Sequence, residues 1–194
     1  EVYPRVRIDV EIATPDDATT VLDRGDADVA LVFNLRPHRD LHVVWSAELP
    51  LHCVVAPGHP LAELSQVSLA KVRDQATVVQ SPSLAIRRML EARHGWMFSE
   101  NRPPVVTNSL QLLKQLVVSG SHAALTSELD TAQELLDGRL VAIPVTGQNV
   151  VPQSIALAIS SRRALPRIAT RVADLLAADV AVMLAEVRAR NRLP

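Results

Sequence analysis

The stretch Leu51–Leu64, LHCVVAPGHPLAEL, holds His52, Cys53 and His59 within eight residues. Imidazole and thiol groups are zinc ligands and nucleophiles, so spacing decides whether either chemistry is available. His52 and Cys53 are consecutive in an apolar run that reads as a strand, and they therefore point to opposite faces. His59 lies beyond that run in a Pro-Gly-His-Pro turn, out of reach of His52. Cys53 is the only cysteine of the chain. No zinc spacing and no Cys–His pair results, and the stretch reads as a core thiol followed by a turn. His94 and His122 stand alone and read as ordinary exposed or half-buried side chains. Asp26 and Asp28 flank the start of a strand as turn residues. The sequence has no Gly-x-Ser-x-Gly elbow, phosphate loop or Gly-x-Gly-x-x-Gly run. No catalytic residue, metal site or cofactor is expected.

Hydroxyl and amide groups at element ends carry more information. In open α/β sheets, ligands sit beyond the carboxyl ends of strands, where helix N-termini point. The residues at such ends are Thr14, Asn34, Ser81, Ser83, Asn108, Ser109, Thr126 and Ser127. Each is also a good helix cap, and capping alone accounts for its type. A helix N-terminus offers free N–H groups to a carboxylate or similar anion. Asp16 and Asp17 oppose such a ligand after Thr14, whereas no acid follows Ser81 until Glu91, and Arg87 and Arg88 lie in the early turns. An anionic effector is therefore expected at Ser81–Ser83, with Asn34, Ser109, Thr14 and Thr126 around the same cleft. The two arginines read as solvated or paired on the helix surface. Few charged residues are expected to face the cleft, and the 3% aromatic content argues against a large stacking ligand.

These ends belong to a regular series of elements. Val6, Ile8, Val10 and Ile12 alternate with polar residues, which predicts a strand. A helix follows, with Thr14 as N-cap, Pro15 in its first turn, Ala18, Val21 and Leu22 inward and Gly25 at its end. The apolar run DADVALVF then completes a βαβ unit. Extended runs LHVVWSAEL and PLHCVVAP come next, then a short helix SLAKVRD and a strand ATVVQ. A helix capped by Ser81 or Ser83 runs to Gly95, and PPVVTN is a strand. Ser109 caps a helix with Leu110, Leu113 and Val117 inward, closed by Gly120. AALT, LVAIPV and SIALAISS are strands, with a capped helix SELDTAQELLDG ending at Gly138. A long helix spans about 166–190. The series is α/β, and a mostly parallel sheet is expected.

At 194 residues the chain is long enough for a substantial core. Twenty basic and 21 acidic residues give a net charge of −1, so nothing suggests a nucleic-acid footprint on these residues. The single cysteine excludes an intrachain disulfide and suits a reducing, cytoplasmic compartment. No apolar run reaches the length of a membrane span.

Three stretches carry a family resemblance. YPRVRIDVEIATPDDATTVLDRGDADVALVF, LPLHCVVAPGHPLAELSQVSLAKVRD and TNSLQLLKQLVVSGSHAALTSELDTAQELLDGRLVAIPV follow one another in the order and spacing of the effector-binding domain of LysR-type transcriptional regulators. The chain departs from that pattern at Gly120-Ser121-His122-Ala123, where Gly-x-Gly-Ile is usual, and at Ser127, where Pro is usual. The resemblance implies two Rossmann-like lobes of the type II periplasmic-binding-protein fold. Lobe I would hold 1–49 and 151–194, and lobe II 50–150, with a small-molecule effector between them. It implies DNA binding only through a winged helix-turn-helix that should precede Glu1, and a homodimer is expected because two-fold pairing is the commonest assembly. The first strand and helix of the effector domain should also precede it. Either a gap beside the strand at 28–33 or a strand supplied from elsewhere is expected. A solute-binding protein of the same fold is the alternative. An enzyme on that fold would need a poised acid, base or nucleophile in the cleft, and the sequence shows none.

Overall fold

The computed structural model describes residues 5–12, 17–98 and 105–191. In chain order the elements are α1 (Ala18–Arg24), β1 (Ala30–Phe33), β2 (Leu41–Leu49), β3 (His52–Val55), β4 (Val67–Ser68), α2 (Leu69–Arg73), β5 (Val78–Gln80) and α3 (Ala85–His94). They continue with β6 (Val105–Thr107), α4 (Leu110–Val118), β7 (Ala124–Thr126), α5 (Ala132–Leu136), β8 (Val141–Thr146), β9 (Gln153–Ser160) and α6 (Arg167–Asn191). Local chemistry sets many of these bounds. Gly25 ends α1 at φ 77°, in the left-handed region that glycine enters without a Cβ penalty. Ser68 and Ser109 accept hydrogen bonds from the N–H groups of Lys71 and Leu112, capping α2 and α4. Thr14, Pro15 and Asp16 lie outside the described residues.

The strands form two bodies. One is a three-stranded sheet, β1-β9-β2, antiparallel throughout. The other holds the mixed sheet β4-β8-β3-β7, in which only β4 and β8 run parallel. Beside it lies the parallel pair β5-β6, tied to the segment before β7 by a Thr77–Ala123 bridge. The mostly parallel sheet expected from the alternation of strands and helices is thus replaced by mixed and antiparallel pairing. The cause is the pair of crossing connections. β2 leads into β3 through Pro50, and β9 returns from the second body to lie antiparallel between β1 and β2. Periodicity reveals a strand but not the neighbour it will select.

The strand expected at Val6–Ile12 does not join a sheet. Val6, Ile8, Val10 and Ile12 are 36%, 64%, 85% and 97% exposed. Alternation expresses a capacity to be half-buried, and a neighbour must supply the burial. Among the described residues β1 pairs only with β9, and its other edge carries no strand.

Apolar burial explains why the strands of the second body read as near-continuous hydrophobic runs. On one face Cys53 and Val55 of β3 join Ile143 and Leu125, covered by Leu69 and Val72 of α2 and Ile86 and Leu90 of α3. On the other, Val54 packs with Leu113 and Val117 of α4 and Leu135 of α5. Leu110, expected on the inner face of α4, is exposed. The first sheet buries Leu49 and Ile155 against Val180 and Leu184 of α6. One turn further on, Val187 enters the core of the second body, so α6 packs on both.

Candidate functional site: a cationic cleft

A cavity of about 710 Å³ opens between the two bodies. One wall is built by the chain leaving β1: Phe33, Asn34, Leu35, Arg36, Pro37 and His38, with Thr19, Val151 and Pro152 beside them. The other is the face of α3 that carries Ala85, Arg88, Met89 and Arg93. Helical spacing puts these four on one side of α3, while Ile86 and Leu90 turn into the core. The volume lies in the usual range for small-ligand sites.

Asn34 makes the first wall possible. Its φ is 51°, a left-handed conformation that asparagine tolerates better than most residues. Its Oδ1 accepts the Ser154 N–H at 2.9 Å, and its own N–H donates to the Ser154 carbonyl at 2.8 Å. The chain is thereby turned off the sheet and over the cleft. His38 is held lower on the same loop, where its Nδ1 lies 3.6 Å from Asp40, itself paired with Arg162 at 2.7 Å.

The second wall begins at an uncapped helix end. Leu84 occupies the N-cap position of α3 in an extended conformation, and no side chain caps the first turn. Its open N–H groups lie beside Ala85 on the cavity wall. The two arginines of the early turns diverge. Arg87 is buried, paired with Glu91 at 2.6 Å, bonded to the Gln80 carbonyl and stacked 3.8 Å from the Phe98 ring centroid. Arg88 is exposed and donates to the Ser83 carbonyl at 2.9 Å. Arg36, Arg88 and Arg93 have no carboxylate within 4 Å among the described residues, and no Asp or Glu lines the cavity. The expectation that few charged residues face the cleft is overturned. Of the two arginines expected to be solvated or paired on the helix surface, Arg88 is exposed and Arg87 is paired with Glu91 on the same helix, although it is buried.

Of the residues singled out from sequence, Asn34 alone lines this cavity. Ser81 and Ser83 precede α3 but cap nothing; their hydroxyls lie 2.6 Å apart and bond each other. Ser109 is occupied as the cap of α4. Thr126 is fully buried, and its Oγ1 donates to Asp130 at 2.6 Å. Ser127 gives the same carboxylate both its N–H and its hydroxyl. A proline could not supply that N–H. Thr14 lies outside the described residues. Sequence reading missed Arg36, His38, Arg88 and Arg93 as cavity residues; the signal present was an acid-free first turn beside Arg88.

A second polar cluster sits where the bodies join. Glu128, fully buried after β7, accepts two hydrogen bonds on Oε1 from Arg188 of α6, at 2.9 and 2.6 Å. Arg188 also donates to the Glu48 carbonyl on β2 at 2.7 Å. The other carboxylate oxygen faces Nδ1 of buried His52 at 3.5 Å, within ion-pair reach but without a hydrogen bond. Burial raises the Glu128 pKa, but the His52 ring and the Arg188 bonds outweigh it and hold the group below its ordinary value. Cys53, on the opposite face of β3, is buried among apolar side chains that push its thiol up to about 12. His59 caps a single turn through the Leu61 N–H. The core-thiol-and-turn reading of that stretch holds. Among the described residues no group of three His, Cys, Asp or Glu side chains could hold a metal, and no helix is long and apolar enough to cross a membrane.

Two α/β bodies with crossing connections and a cleft between them make a periplasmic-binding-protein-like fold, and comparison with known proteins specifies the family. The model of the LysR substrate binding domain matches residues 1–181, and the chain belongs to that family. The HTH-type transcriptional regulator CbbR of Xanthobacter flavus is 28% identical over 167 residues, which cover 84% of this chain and 50% of that regulator. The chain spans about half the length of the curated relatives it matches. Among solved structures, a C206 mutant of Corynebacterium glutamicum OxyR superposes with a TM-score of 0.70 at 18% identity, covering 97% of this chain and 60% of that one. The regulatory domain of Synechocystis CcmR, solved in complex with 2-PG, gives 0.69 at 17% identity, covering 92% and 86%. At such identities the structural matches speak for the fold. The family is one of transcriptional regulators and not of enzymes.

Proposed function

We propose that the chain is the part of a LysR-type regulator that senses a small anionic effector in the cleft between its two bodies. The observation that supports this is the lining: guanidinium groups on both walls, the open N-terminus of α3, and no carboxylate among the described residues. A carboxylate or similar anion would find charge-assisted hydrogen bonds there that a neutral solute could not match. The complex of CcmR with 2-PG shows that a domain of this fold takes a small ligand. Residues 1–49 with 151–194 would form one lobe and 50–150 the other. The effector would favour one geometry between them, and its differential affinity would set the coupling, typically about 1–3 kcal/mol. That geometry would be passed, in a homodimer in the cytoplasm, to a helix-turn-helix outside this sequence. Calorimetric titration of small carboxylates into the wild type and Arg88→Ala tests the site. At least a tenfold loss of affinity is expected in the variant; identical binding isotherms would reject the cleft as the site.

A further inference from the structure

The cleft carries its cations on opposing walls, and this constrains the kind of anion that can use it. Arg36 belongs to the loop leaving the β1-β9-β2 sheet, whereas Arg88 and Arg93 stand on α3, which is anchored in the core of the other body. Among the described residues neither wall supplies a carboxylate to the other, so like charges confront each other across the gap. Several cations elsewhere are paired where elements meet: Arg188 with Glu128, Arg162 with Asp40, Lys114 with Glu134.

We propose that the cleft is a two-walled electrostatic clamp for a ligand bearing at least two anionic groups, one engaged by Arg36 and the other by Arg88 and Arg93. The proposal rests on the cleft being the effector site and goes on to name the ligand class, a dicarboxylate or a phosphorylated carboxylate. A singly charged ligand neutralises one wall and leaves the other repelling. A second anionic group makes the second wall an intramolecular contact at high effective concentration, so its contribution multiplies the first. Phe33, Leu35 and Met89 line the space between and suit a short apolar spacer. Bridging also removes the repulsion between the walls, so bound ligand favours their approach.

The test uses three compounds on one carbon skeleton: propionate, succinate and 3-phosphonopropionate. Each is titrated calorimetrically into the wild type, Arg36→Gln and Arg88→Ala, with melting curves confirming that both variants fold. Succinate or 3-phosphonopropionate is expected to bind at least about tenfold more tightly than propionate, and the stronger of the two identifies the second headgroup. Arg36→Gln should reduce the affinity of that two-headed compound toward that of propionate, so that the ratio between the two falls toward one. Propionate binding as tightly as both two-headed compounds, while remaining sensitive to Arg88→Ala, would overturn the clamp and leave the anion site standing. Binding of all three that neither substitution alters, or no binding by any, would overturn both.

Discussion

Replacing Arg188 by alanine should destabilise the protein far more than the loss of a surface arginine. Arg188 places Nε and Nη2 on one oxygen of Glu128, at 2.9 and 2.6 Å, and that carboxylate has no exposure to water. Removing one partner of a buried pair typically costs about 3–5 kcal/mol, because the remaining charge is stranded. The Arg188 side chain is 32% exposed, so water can enter part of the vacated space and the cost falls to about 2–4 kcal/mol. For a domain of this size that lowers the melting temperature by roughly 5–15 °C. Chemical denaturation in urea gives the free energy directly. The cause is isolated by adding Glu128→Gln, which substitutes a neutral amide for the stranded charge and should recover more than half of the loss. The pH dependence gives a second check. Glu128 titrates below its ordinary value of 4.5 when folded, so its contribution is complete above that pH and is lost as pH falls through the depressed value. The gap between wild type and Arg188→Ala should therefore be constant near neutrality and narrow in acid. A cost below about 0.5 kcal/mol, the range of ordinary surface substitutions, or a double variant no more stable than the single one, would refute the buried-charge argument.

Three further outcomes follow from single side chains. Cys53, with its thiol raised to about 12 and no exposure, should resist disulfide-exchange reagents at neutral pH in the native protein and react once unfolded, as measured by thiol colorimetry. Asp130→Ala should destabilise by roughly 1–3 kcal/mol in urea melts, because the buried Thr126 and Ser127 hydroxyls lose their acceptor. Gly25→Ala should cost about 1–2 kcal/mol, since φ 77° is strained for alanine and the new Cβ would displace the Arg163 guanidinium; a thermal melt within experimental error of wild type would contradict this.

What could be read from sequence was what is settled within a few residues. Ser109 caps α4, Ser68 caps α2, and Gly25 and Gly138 take left-handed conformations behind their helices, because the groups that decide these features are neighbours in the chain. The cap of α3 shows where this reasoning stops. Ser81 and Ser83 both have capping side chains, yet the Ser81 N–H is still donating to the Thr107 carbonyl, in continuation of the β5–β6 pairing. A backbone bond to a strand residue 26 positions away delays the helix until Leu84, and the serines are left to bond each other. Val6–Ile12 has the opposite fate: a correct period without a neighbour to give it burial.

The candidate site was obscured for the same reason. Arg36 stands in a loop without periodicity, and Arg93 lies on the outward face of a helix whose inward face is well filled, so each alone reads as a solvated surface charge. Only the return of β9 between β1 and β2 brings the loop after β1 opposite α3. The Glu128 cluster is likewise assembled from three separated segments, and its arginine lies 60 positions beyond the carboxylate. The apolar stripe of α6 can be read at helical spacing from Ala169 to Val187, but a stripe does not announce that Val180 and Leu184 serve one core and Val187 another. A helix that packs on both bodies can place Arg188 on a carboxylate of the second while bonding a carbonyl of the first. That double attachment is a property of the crossing, and local pattern carries no term for it.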